Sequence, residues 1–146
     1  MKLEGTFAVR AGIEKVWETF MDPHGMTPCI PELQRLDIVD PMHHRLAVEV
    51  GVSFIKGDFV FDVWIVEAEM PTHAKLKVHG KGQGSAIDAE GTFELVETGD
   101  GTEMRWQADT HVVGKVANVG SRLLQSTMAK RVQEFFDCGR ARLEGG

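Results

Sequence analysis

The chain has 146 residues, 42% of them apolar and 26% charged, with a formal net charge of −6. That is ordinary globular usage, and the length suits one domain, 1–146, whose core needs no disulfide or metal staple. The acidic balance argues against phosphate-driven nucleic-acid binding, and the longest apolar run, Val63-Trp64-Ile65-Val66, is far too short to span a bilayer.

Residues Lys2 to Arg10 alternate, with Leu3, Gly5, Phe7 and Val9 on one side, as in a half-buried strand. Gly12 can cap a helix whose apolar face is Ile13, Val16, Trp17 and Phe20. Asp22-Pro23 ends it, because the residue before a proline avoids the α region. His24 to Pro31 reads as a short helical turn or an irregular connector, apolar enough to close one end of a core.

Strands follow. Leu33, Leu36 and Ile38 suggest one, and Leu46, Val48, Val50 and Val52 a second. Phe54 to Glu67 is the longest, with Ile55, Phe59, Phe61, Val63 and Ile65 on one face and a bulge or bend expected at Gly57. Ala74, Leu76 and Val78 continue the pattern until Gly80, Gly82 and Gly84 interrupt it, suggesting bending or close backbone approach. Ile87, Ala89, Gly91, Phe93 and Leu95 lead through the tight turn Gly99-Asp100-Gly101 to Met104, Trp106, Ala108, Thr110 and Val112. A long helix is expected from Val116 to Leu143, its apolar stripe turning from Val116, Val119, Gly120 and Leu123 to Leu124, Met128, Val132, Phe135 and Phe136, with Gly120 allowing close packing.

The order is thus strand, helix, short helix, six strands, helix. Short connections imply an α+β fold with an antiparallel sheet whose apolar face the helices cover. One helix covers a curved sheet imperfectly, so a cavity between them is expected.

Charge is uneven along this plan: residues 1–114 carry 10 basic and 19 acidic side chains, residues 115–146 carry 6 basic and 3 acidic. The basic excess of the last helix suits a solvated outer face, with contact to an acidic partner or an anionic membrane surface as the alternative. Cys29 and Cys138 stand far apart with no partner motif and are expected as two unpaired thiols of a cytoplasmic protein; no apolar signal segment follows Met1.

No catalytic constellation emerges. The six histidines (His24, His43, His44, His73, His79, His111) show no zinc-binding spacing, and surface or turn positions account for most of them. His43 and His44, being adjacent, would point to opposite faces of a strand. Gly80-Lys81-Gly82-Gln83-Gly84 lacks the parallel βαβ setting of a dinucleotide loop. The strand carboxylates Asp58, Asp62, Asp88, Glu90, Glu94 and Asp109 fall mainly on the polar side of each alternation. What remains is a broad apolar interior of a kind that suits an apolar ligand.

The layout resembles the helix-grip fold of the START and birch-pollen-allergen superfamily (SRPBCC), in which a curved sheet grips a long C-terminal helix around a hydrophobic tunnel. Phe7-Ala8-Val9-Arg10-Ala11-Gly12-Ile13-Glu14-Lys15-Val16-Trp17 is similar to its common opening. Cys29-Ile30-Pro31, Ile55-Lys56-Gly57, Gly80-Lys81-Gly82 and Gly114-Lys115-Val116-Ala117-Asn118-Val119-Gly120-Ser121-Arg122-Leu123 narrow the likeness to the G-subunit family of carbon monoxide dehydrogenase. That resemblance implies an accessory to molybdenum-containing carbon monoxide dehydrogenases and related hydroxylases, associating the enzyme with the membrane and handling a quinone or lipid-like ligand. Unlike many members the sequence ends at Glu144-Gly145-Gly146, so transient surface contact at the inner face of the membrane is expected in place of an anchor.

The reading is a non-enzymatic binder of a hydrophobic small molecule, with no cofactor, no metal and no catalytic residue assigned. Its expected lining is Ile55, Phe59, Phe61, Leu76, Val78, Ile87, Phe93, Trp106, Leu124 and Met128, and its entrance Met26, Cys29 and Ile30. Two alternatives stand beside it. One is a cyclase- or hydratase-type enzyme, which needs an ionisable side chain pointing into the tunnel; the other is a protein–protein adaptor with a filled core.

Overall fold

Period-two alternation carries the chain through seven antiparallel strands, and helical segments occur only in the crossing between the first two strands and after the last strand. The computed structural model describes residues 1–145; Gly146, the end of the expected 1–146 domain, lies outside them. The strands are β1 (Lys2–Val9), β2 (Leu33–Asp40), β3 (His43–Val52), β4 (Ile55–Glu69), β5 (His73–Gly82), β6 (Ser85–Glu97) and β7 (Thr102–Gly114). The helices are α1 (Ile13–Met21), α2 (Pro23–Met26) and α3 (Ser121–Glu144), with 3-10 turns at Thr27–Cys29 and Lys115–Val119.

The sheet order is β1-β7-β6-β5-β4-β3-β2. After β1 the chain crosses through α1 and α2 to the far edge, then meanders back until β7 pairs with β1, Phe7 opposite Met104 and Gly5 opposite Trp106. Register irregularities at Leu33/Arg35, Ile38/Asp40 and Ile65/Glu67 bend the sheet. At Gly57 the β3–β4 register is unbroken, Val50 pairing with Gly57, so no bulge forms there; the backbone itself departs from the ordinary strand, with φ +157°, and a side chain would meet that of Gln83. At Gly80, by contrast, close approach is real, because the ring of Phe61 occupies the place of a Cβ.

Two cores fill the ends of the space beneath the helices. One joins Phe7, Val9, Phe93, Leu95 and Met104 of the sheet to Ile13, Val16 and Trp17 of α1 and Leu143 of α3. The other joins Val52, Ile55 and Phe59 to Val116 and Leu124. Phe59, which is 0% exposed, marks the floor of the second.

The structure corrects three expectations for the last helix and the cysteines. The last helix does not start at Val116. A 3-10 turn precedes it, and Gly120 stands at its N-cap with φ +101°, a left-handed conformation that favours glycine. No atom lies within 4 Å of where its Cβ would be, so Gly120 serves backbone direction and not close packing. Nor are the cysteines free: Cys29 and Cys138 form a disulfide, with Cα atoms 5.6 Å apart. The turn after α2 brings Cys29 onto the last third of α3, a meeting that 109 residues of separation conceal.

Candidate functional site

Helix α3 touches the body unevenly. Its fully buried residues are Leu124, Gly139 and Leu143, near its two ends, while Thr127, Met128, Val132, Phe135 and Phe136 between them are half-buried. At Gly139 the helix lies so close to the α2 connector that a Cβ would sit 2.7 Å from Cε of Met26. With the ends seated and the Cys29–Cys138 bond fixing the connector, the middle of α3 spans the curved sheet without filling the space beneath it.

That space forms two apolar cavities. The larger, about 380 Å³, is an aromatic chamber walled by Phe20, Phe93, Trp106, Phe135 and Phe136, with Leu36, Leu46, Val63, Leu76 and Met104 from the sheet and Met26 from α2. Edge and stacked contacts hold these rings, Phe136 lying 5.6 Å from Trp106 and 4.9 Å from Phe7, centroid to centroid. The second, about 310 Å³, is an aliphatic chamber of Val48, Val50, Val52, Ile87, Val112, Val116, Leu124 and Met128, with Glu32, Glu49 and Arg131 as its charged members. Ile30 and Val132 border both, so the chambers meet at those two side chains.

The expected lining residues divide accordingly. Leu76, Phe93 and Trp106 border the aromatic chamber, and Ile87, Leu124 and Met128 the aliphatic one. Of the expected entrance, Ile30 lies at the junction and Met26 in the aromatic wall, whereas Cys29 is buried in its disulfide. Ile55 and Phe59 are packed in the second core with Phe61 stacked against Phe59, and neither these three nor Val78 borders either chamber. Alternation marks the inner face of a strand but not which inner residues are covered by a neighbour and which face a void.

One polar residue of the chamber escapes sequence reasoning. β3 begins at His43, three residues before the apolar alternation becomes visible, so His44 shares the inward parity of Leu46 and Val48. It is 7% exposed, borders the aromatic chamber, and its Nε2 has no hydrogen-bond partner. Burial holds its pKa below the ordinary histidine value, with His43 acting the same way, while a hydrogen bond to the Pro41 backbone and the charges of Asp40 and Asp22 oppose the shift. The ring is therefore neutral at pH 7. Counting Leu46, Val48, Val50 and Val52 back by two gives the signal that finds it.

Its neighbour His43 points outward, as adjacent strand residues must. Its Nε2 lies 2.7 Å from Oδ1 of Asp62, which also accepts from Nε of Arg45 at 2.9 Å. Burial raises the Asp62 carboxyl pKa, but the His43 and Arg45 bonds outweigh it and the net shift is downward. Among the described residues no group of three or more His, Cys, Asp or Glu side chains is arranged to hold a metal ion, and no helix is long and apolar enough to cross a membrane.

The same architecture recurs in solved structures. A conserved protein from Geobacillus kaustophilus superposes with a TM-score of 0.91 at 25% identity, covering 98% of this chain and 95% of that one. A START superfamily protein from Mycobacterium smegmatis gives 0.74 at 16% identity, covering 97% and 96%. Ara h 8.0201 gives 0.70 at 14%, covering 98% and 97%, so the fold is the helix-grip arrangement these proteins share. No curated protein matches the sequence. The family model for the G subunit of carbon monoxide dehydrogenase (CoxG) matches residues 5–144, from β1 through the last turn of α3. Because that match takes in the sheet, the connector and the helix that together enclose both chambers, the chain belongs to the carbon monoxide dehydrogenase CoxG family.

Proposed function

We propose that this protein is a non-enzymatic carrier that encloses a hydrophobic small molecule, a quinone or lipid-like compound, between α3 and the sheet. The observation that carries this reading is the pair of adjoining apolar chambers, bordered by both halves of α3. Enclosing apolar surface there supplies affinity at about 25 cal/mol per Å² before the costs of association. Family membership supports a ligand-binding accessory role, and with it a molybdenum-containing dehydrogenase as the partner served. The basic side chains of α3, among them Arg122, Lys130 and Arg131, are exposed and suit transient contact with an anionic membrane surface.

A second reading, a small cyclase or hydratase working in the same cavity, draws on His44, the ionisable side chain such an enzyme needs. Acid–base catalysis of this kind commonly pairs the imidazole with a carboxylate. Asp22 is the carboxylate on the chamber wall, and it accepts from the backbone N–H of His24 instead. The carrier reading is therefore preferred.

Native mass spectrometry of the freshly purified protein, followed by organic extraction, tests it. The expected result is a non-covalent adduct that extracts into solvent as an intact apolar compound. Turnover of an aromatic substrate that is lost in His44→Gln favours the enzyme instead.

A further inference from the structure

Both chambers share one wall, the connector of residues 23–32 that links α1 to β2. Pro23, Met26 and Thr27 border the aromatic chamber, Pro31 and Glu32 the aliphatic one, and Ile30 both. The hydrogen bonds between α3 and other elements gather at its last turns. Nε of Arg140 donates to the carbonyl of Ala8 at 3.0 Å, Nζ of Lys15 to the carbonyl of Leu143 at 3.1 Å, and the backbone N–H of Arg10 to Oε2 of Glu144 at 2.8 Å. All three lead to β1, the turn after it, or α1. Among the described residues no hydrogen bond or ion pair joins the connector to α3; Met26 rests against Gly139, and Cys29 is bonded to Cys138. Without the S–S bond the connector keeps only apolar packing against α3, and segments held so lightly open at low cost in free energy.

We propose that the Cys29–Cys138 disulfide is a redox latch on the guest space. Closed, it holds the connector on α3 and retains the guest; opened by a dithiol reductant, it lets the connector swing and the guest exchange. Cys138 is half-buried and Cys29 is 5% exposed, so the reductant's thiolate attacks Sγ of Cys138. The S–S bond breaks, Cys29 leaves as a thiolate and takes up a proton, and a mixed disulfide remains on Cys138. The second thiol of the reductant then displaces Cys138, so the protein gains two electrons and two protons and the reductant departs as its own disulfide. Leu124 and Leu143 seat α3 in cores that contain no connector residue, so both cores persist when the latch opens and movement is confined to the shared wall. This inference rests on the carrier reading and adds to it the regulation of the same site.

The test follows exchange of the dye N-phenyl-1-naphthylamine by stopped-flow displacement with excess decanol. It is run on protein purified without reductant, on the same protein after dithiothreitol, and on Cys29→Ser/Cys138→Ser, with thiol titration to verify that the bond has opened. The expected result is that reduction speeds uptake and release together, each by roughly tenfold, with Kd unchanged, because a gate alters rates and leaves the site intact. The double variant is expected to exchange at the reduced rate with or without dithiothreitol, which ties the effect to this bond. Equal rates in the oxidised and reduced protein overturn the latch and leave the carrier reading standing. Loss of fold on reduction, judged by circular dichroism, overturns it as well, since the bond is then a staple for the whole domain. A bond that dithiothreitol does not open in the folded protein does the same. Failure of the oxidised protein to bind the dye at all counts against the carrier reading itself. If the double variant fails to fold, the reduced wild type alone decides.

Discussion

Toward its C-terminus α3 is packed to completion: Leu143, 3% exposed, sits in a core with Phe7, Val16 and Trp17. Earlier in the same helix, Met128 and Val132 are only half-buried and face open apolar space. Both stretches lie above one sheet with the same alternation, so the difference comes from how the helix is held and not from composition. It is seated at Leu124, Gly139 and Leu143, with half-buried residues between those points. The half-open apolar space thus lies between two close-packed cores.

Substitutions that separate the filled regions from the hollow one sharpen this contrast. The largest effect belongs to Phe59→Ala, at a fully buried site, which is expected to cost about 3–5 kcal/mol in urea unfolding, with the protein destabilised before any ligand effect is seen. The double variant Cys29→Ser/Cys138→Ser is expected to lose about 2–4 kcal/mol by the same measurement. It should also exchange bound guests faster in a stopped-flow displacement assay, because the connector beside both chambers is no longer tied to α3. Met128→Ala, on the wall of the aliphatic chamber, should cost under about 1.5 kcal/mol, since the side chain is half-buried and packed on one side only. A cost as large as that of Phe59→Ala would erase the distinction between the two regions.

The smallest effect is the dependence on pH. Above about pH 7.5 His44 is neutral in both the folded and the unfolded chain and contributes no slope. As pH falls below that value the unfolded chain takes up a proton that buried His44 declines, so stability is lost until the pH reaches the lowered folded pKa. Urea midpoints measured from about pH 7.5 to about pH 5.5 should therefore fall less in His44→Leu than in the wild type. Equal slopes would place His44 in contact with water.

The strands were legible because each carries its own alternation, and Gly99-Asp100-Gly101 marks the turn between the last two. Leu76, Phe93, Trp106, Ile87, Leu124 and Met128 were legible as inner-face residues for the same reason. What alternation cannot express is the height of the helix above each position. Phe59 and Val48 pair across β3 and β4, yet Phe59 is covered by the second core while Val48 borders a chamber. The disulfide was hidden because its pairing depends on where a proline-rich turn comes to rest against α3. His44 was hidden because the pair His43-His44 at a strand's start does not say which of the two points inward until the ladder beside Val63 is drawn.

Equilibrium titration with the lipophilic fluorophore N-phenyl-1-naphthylamine, on wild type and on Met128→Arg, probes the enclosed space most directly. The wild type should bind with saturable, one-to-one stoichiometry and blue-shifted emission, displaced by a long-chain alcohol, and Met128→Arg should bind weakly while keeping its fold. A folded wild-type protein that gives no saturable signal, or a Met128→Arg variant that binds as well as wild type, would contradict a guest-holding chamber beneath α3.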